Sequence, residues 1–90
     1  MSRITLLRLP QATERLGIGK SQTYVDIKQG LLTPPVRISA QVVGWPDYEI
    51  ESVIRAKIAG ATPAELKALV RQLVAQRATM KPSISTDVAA

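Results

Sequence analysis

Leu9-Pro10-Gln11-Ala12-Thr13-Glu14-Arg15-Leu16-Gly17-Ile18-Gly19-Lys20-Ser21-Gln22-Thr23-Tyr24-Val25-Asp26-Ile27-Lys28-Gln29-Gly30 reads as two short helices joined by a glycine-bearing turn. Pro10 suits a first helical turn, where a missing N–H costs nothing, and Ala12 and Leu16 share a face at i, i+4. Gly17 stops that helix. The second begins at Gly19 or Lys20, with Gly19 as N-cap and Ser21 as the alternative, and runs to Gln29. Gly30 falls where a left-handed C′ residue is wanted. Thr23 and Ile27 share a face that Leu31 extends, while Lys20, Gln22 and Lys28 point elsewhere. Two helices across a three-residue turn make a helix-turn-helix.

Beyond it, Thr33-Pro34-Pro35 excludes helix, because both prolines lack a donor and push their predecessors into extended backbone. Val36-Arg37-Ile38 alternates apolar and basic, Val42-Val43 is β-branched, and Ser39-Ala40-Gln41 can turn between them. The expected element is a two-stranded ribbon, or wing. Gly44-Trp45-Pro46-Asp47 opens a third helix with Pro46 at its first position and Asp47, Glu49 and Glu51 at its positive end. Ile50, Val53, Ile54 and Ile58 form its apolar stripe, Arg55 and Lys57 lie toward its negative end, and Gly60 ends it. Trp45 is expected to anchor the core between wing and third helix. Thr62-Pro63-Ala64-Glu65 is a capping box with proline at N1, opening a fourth helix with the stripe Leu66, Leu69, Val70, Leu73 and Val74. Lys67, Arg71 and Gln72 face outward. Periodicity is lost from Thr79 onward. The expected organisation is a winged helix-turn-helix over 1–60, an amphipathic helix over 61–78 and a disordered tail over 79–90, a mainly α fold.

The chain has 90 residues, with 12 Lys+Arg against 7 Asp+Glu and a net charge of +5. A chain this short buries only about 60–68% of its unfolded surface, so one small domain is the natural reading. Residues 1–41 carry a net +4, residues 42–60 a net −1 and residues 61–90 a net +2. A basic first half beside an acidic middle points one end toward a polyanion; simple solubility is the plainer alternative. With no Cys and no His, the usual structural zinc sites and thiol or imidazole catalysis are excluded. Asp47 and Glu51 share a face, but no third metal ligand can be named. No enzyme, cofactor or metal site is expected. No signal-peptide stretch or membrane span is apparent, so the expected compartment is the cytoplasm, at the nucleoid.

Gly17-Ile18-Gly19-Lys20-Ser21-Gln22-Thr23-Tyr24, Ile27-Lys28-Gln29-Gly30, Pro34-Pro35-Val36-Arg37 and Val43-Gly44-Trp45 fall in a familiar order. Over about residues 6–58 the chain resembles the AlpA-type prophage regulators, small winged helix-turn-helix proteins related to excisionases and to the DNA-binding domains of MerR regulators. It departs from that pattern at Gly19, where serine is common, and at Ile38-Ser39-Ala40-Gln41, which lacks the usual wing arginine.

The resemblance implies a sequence-specific transcriptional regulator that sets its second helix in the major groove of double-stranded DNA. On that reading Lys20 and Lys28 contact phosphate or guanine, Gln22 pairs with adenine and Ser21 bonds a phosphate. Tyr24 packs its ring and turns its hydroxyl to phosphate, or is purely structural. Val25 meets a thymine methyl if it faces the groove; a chance exposed valine is the more ordinary reading. Asp26 repels phosphate and so faces away or bonds a neighbour. Arg37 points from the wing to the backbone or minor groove. The Leu66, Leu69, Val70, Leu73, Val74 stripe either folds back on the domain or pairs with a second copy as a homodimer. Two rival functions remain: an excisionase-like factor that bends DNA, and a protein-interaction module acting through the 62–77 helix.

Overall fold

Local chemistry places the first two helices where the glycines and proline allow. In the computed structural model, which describes residues 3–81, α1 spans Leu9–Leu16 and α2 spans Lys20–Lys28. The Gln11 side chain accepts from the Arg8 amide at 3.0 Å, tying off the start of α1. Gly17 takes φ 73 and Gly30 φ 80, the left-handed geometry that closes both helices and that a side chain would strain.

The sheet is larger than the expected ribbon. Strands β1 (Leu6–Leu7), β2 (Val36–Ser39) and β3 (Val42–Pro46) are antiparallel in the order β1-β3-β2. The Arg37/Ser39 irregularity in the β2–β3 register marks a bulge beside the Ala40-Gln41 turn. Leu6 faces Pro46 and Leu7 faces Trp45, and the Asp47 amide continues the pairing to the Thr5 carbonyl at 2.8 Å. That pairing holds Trp45 and Pro46 in extended backbone. Pro46 is therefore the N-cap of α3 (Asp47–Ile58), one residue earlier in the motif than its expected N1 position.

Gly44 shows how closely these strands meet. A Cβ there would lie 2.8 Å from the Leu7 carbonyl oxygen and 2.8 Å from Ile38 Cδ1. Ile38 is exposed and can swing aside, but the Leu7 carbonyl is fixed by the pairing of β1 with β3. Gly44→Ala is therefore expected to cost about 1–3 kcal/mol of stability, the usual penalty of overpacking, measured as a lower midpoint in urea with an unchanged slope.

Leu7, Ala12, Leu32, Trp45, Ile50, Val53 and Leu73 form one buried cluster, with Leu9, Leu16, Ile27, Ile54 and Leu69 packed around it. Trp45 is at its centre, and its indole Nε1 donates to the Thr33 carbonyl at 2.8 Å. It thus joins the segment before the wing to α3, the anchoring role expected of it. Ile58 departs from its expected core position and is 81% exposed, because the last turn of α3 extends past the elements that cover Ile50 and Val53.

Helix α4 (Pro63–Arg77) starts on the expected box: Thr62 Oγ1 accepts from the Glu65 amide at 3.2 Å, and Glu65 Oε1 accepts from the Thr62 amide at 2.8 Å. Its stripe takes the first of its two fates and folds back. Leu66, Val70 and Leu73 are buried within the chain and Leu69 packs on the cluster, so of the five stripe residues only Val74 stands exposed. Apolar surface used inside the monomer is not free for a second copy. A 3-10 turn follows over Ala78–Met80, where a tail was expected, and residues 82–90 of that tail lie outside the described residues.

Candidate nucleic-acid interface

Helix α2 packs against α1 and leaves much of its surface open. At 3.6 residues per turn, Lys20, Tyr24 and Lys28 recur at i, i+4, i+8 and form one row. Ser21, Val25 and Gln29 form the next row, and all six residues are exposed. Thr23 is fully buried and spends its hydroxyl on the Gly19 carbonyl at 2.8 Å. No side chain caps the first turn.

Gln22 stands on a third row and is differently engaged. Its Nε2 donates to Asp26 Oδ1 at 2.8 Å, and Asp26 itself is only 7% exposed. Asp26 thus bonds a neighbouring side chain, one of the two fates expected for it. The bond takes one of Gln22's two amide hydrogens and leaves Oε1 and the other hydrogen free. Asp26 is the only carboxylate between Lys20 and Lys28, so the outward rows of α2 carry positive charge alone.

Arg37 belongs to another element, the wing. It sits opposite Val43 in the β2–β3 pair, is exposed, and its Nη1 donates to the Ala40 carbonyl at 3.3 Å. The structure therefore gathers Lys20, Ser21, Tyr24 and Lys28 on one surface, sets Gln22 at its margin and holds Arg37 apart on the ribbon. Val25, set aside in the sequence as a chance exposure, stands in the middle of the α2 surface. The i+4 step from Ser21 marks its row, which lies opposite the inward face of Thr23, Asp26 and Ile27.

A concavity elsewhere on the surface, open and about 330 Å³, is lined by Arg3, Ile4, Asp47, Tyr48, Glu51 and Met80. Burial, then the nearby Glu49 carboxylate, pushes the Tyr48 hydroxyl above its usual range, against the opposing pull of Arg77. A lining with two carboxylates, Asp47 and Glu51, against the single guanidinium of Arg3 does not suit a polyanion. Among the described residues no group of three or more Asp and Glu side chains is placed to hold a metal ion, and no helix is long and apolar enough to cross a membrane.

The sequence model of the prophage CP4-57 regulatory protein (AlpA) family matches residues 5–58. The chain belongs to this family. No curated protein and no solved structure matches it. In this AlpA chain the matched segment holds β1, the helix-turn-helix, the wing and α3, whereas α4 lies wholly beyond the match.

Arg77 nevertheless ties that extension into the family fold. Its Nε donates to Glu49 Oε2 at 2.8 Å, and its Nη2 donates both to Glu49 Oε1 at 2.6 Å and to the Pro34 carbonyl at 2.7 Å. Glu49 is fully buried and was expected only to serve the α3 dipole. A bidentate guanidinium is the partner such a carboxylate needs.

Proposed function

We propose that this AlpA-family chain is a sequence-specific DNA-binding regulator of transcription that inserts α2 into the major groove. The observation that carries this reading is the sorting of charge on α2. Lys20 and Lys28 stand outward, and Asp26, the one carboxylate of the helix, is turned in and bonded to Gln22. A helix meeting phosphates on both sides of a groove needs that arrangement. Lys20 and Lys28 then contact phosphate or guanine, Ser21 meets phosphate from the first turn, and the Tyr24 hydroxyl reaches the backbone. Gln22 keeps its Oε1 and one hydrogen for an adenine edge. Arg37 contacts the backbone from the wing once it releases Ala40.

One chain is the binding unit in this reading, because the Leu66, Leu69, Val70, Leu73, Val74 stripe that could pair two copies is largely used within the monomer. The protein acts on cytoplasmic DNA and performs no chemistry there.

Selection of bound sequences from random duplexes tests the proposal, followed by affinity measured against salt. Each lysine that neutralises a phosphate contributes about one unit to the slope of log K against log salt, so Lys20→Ala and Lys28→Ala are each expected to lower it by about that much. Binding insensitive to salt and to both substitutions would refute the reading.

A further inference from the structure

On α2 the usual placement of polar and apolar residues is partly inverted, although Ile27 still packs inward. Thr23 and Asp26 are buried, while Tyr24 and Val25 are 46% and 43% exposed. Valine is a poor helix former, since its branched side chain loses rotamer freedom against the preceding turn, and here 43% of it stays open to solvent. It takes no part in the core cluster, so core packing gives no reason for it. Its position does: Val25 follows Ser21 at i+4 and lies beside the row of Lys20, Tyr24 and Lys28, while Gln22 is held toward Asp26 on the other side.

Building on the DNA-binding reading above, we propose that Val25 recognises a thymine through its 5-methyl group and is thereby a specificity-determining residue. The occupant follows from chemistry. Lysines flank the valine and no outward carboxylate accompanies them, so the complementary surface is a polyanion and not another basic protein face. In the major groove the thymine methyl is the largest apolar group a base edge offers; the neighbouring donors and acceptors are positions that valine would desolvate without bonding. The isopropyl group can therefore favour thymine without any hydrogen bond.

Deoxyuridine tests this cleanly, because it pairs as thymine does and lacks only the methyl. Each thymine of the selected duplex is replaced singly, and affinity is measured for the wild-type chain and for Val25→Ala. Burying one methyl corresponds to about a fourfold change in affinity, so the wild type is expected to weaken by about that factor at one position. Val25→Ala, which should fold at least as well because the site is exposed and alanine favours helix, is expected to bind the thymine duplex about fourfold more weakly and to ignore the deoxyuridine there. The proposal is overturned if the selected site lacks thymine, if no deoxyuridine position weakens the wild type, or if Val25→Ala keeps the same penalty. Failure of the DNA-binding reading is seen separately, as absence of salt-dependent binding to the unsubstituted duplex, and removes both.

Discussion

Replacing Arg77 with alanine is expected to cost about 3–5 kcal/mol, the range observed when one partner of a buried ion pair is removed. Glu49 is fully enclosed, and its two carboxylate oxygens both rely on the Arg77 guanidinium. Without it a bare carboxylate stays in the interior, and the Pro34 carbonyl loses its donor as well. The guanidinium is partly exposed, with its side chain 21% accessible, so water entering the vacated space relieves some of this and favours the lower half of the range. Small domains have only about 5–15 kcal/mol in total, so the variant should melt far below the parent. Glu49→Gln supplies the control. Combined with Arg77→Ala it removes the stranded charge, and the double variant is expected to be more stable than Arg77→Ala alone. Equal stability of the two, by chemical denaturation, would show that the pair contributes packing and not charge compensation.

Trp45→Ala is expected to be at least as damaging. The indole is the largest fully buried side chain, at the centre of the cluster that joins β1, α3 and α4. Truncating such a residue costs about 3–5 kcal/mol in lost transfer energy and residual cavity. A second loss adds to it, because the Thr33 carbonyl no longer receives the indole N–H, and an unsatisfied buried acceptor costs about 1–3 kcal/mol. The sum approaches the whole stability of a chain this size, so the variant should show little cooperative unfolding by circular dichroism. Trp45→Phe separates the two losses: it retains most of the ring volume, drops the hydrogen bond, and should unfold cooperatively at a lower temperature. A Trp45→Ala protein that melts like its parent would deny Trp45 its place as core anchor.

The parts of the fold legible in the sequence are those whose causes are local. Pro10 and Gly17 bound α1, Gly19 and Gly30 bound α2, and Thr62 with Glu65 opens α4 within four residues. The parts that escaped depend on distant partners. Strand β1 is two residues long and has no period to detect; it exists because Trp45 and Pro46 lie alongside it. Glu49 looked like a helix-start carboxylate because its partner is 28 residues further along. Ile58 obeyed the helical spacing of its stripe, but spacing says nothing about where the covering elements end.

The candidate interface divides in the same way. The i, i+4, i+8 row of Lys20, Tyr24 and Lys28 follows from residue spacing, and so does the reach of Gln22 to Asp26. The burial of Asp26 does not, because an inward face normally carries apolar residues, as it does at Ile27, and here also takes a carboxylate. Nor could the stripe of α4 announce which surface it covers; two copies and one folded-back chain satisfy the same periodicity.

Amide chemical-shift mapping of the full chain against a duplex chosen from random sequence shows which face meets DNA. If α2 is the element that enters the groove, the largest changes fall between Lys20 and Gln29, smaller ones appear on the wing from Arg37 to Gln41, and the outer face of α4 around Arg71 and Gln72 stays still. Changes concentrated on α4 or on the cleft around Tyr48, with the amides of α2 unmoved, would contradict it.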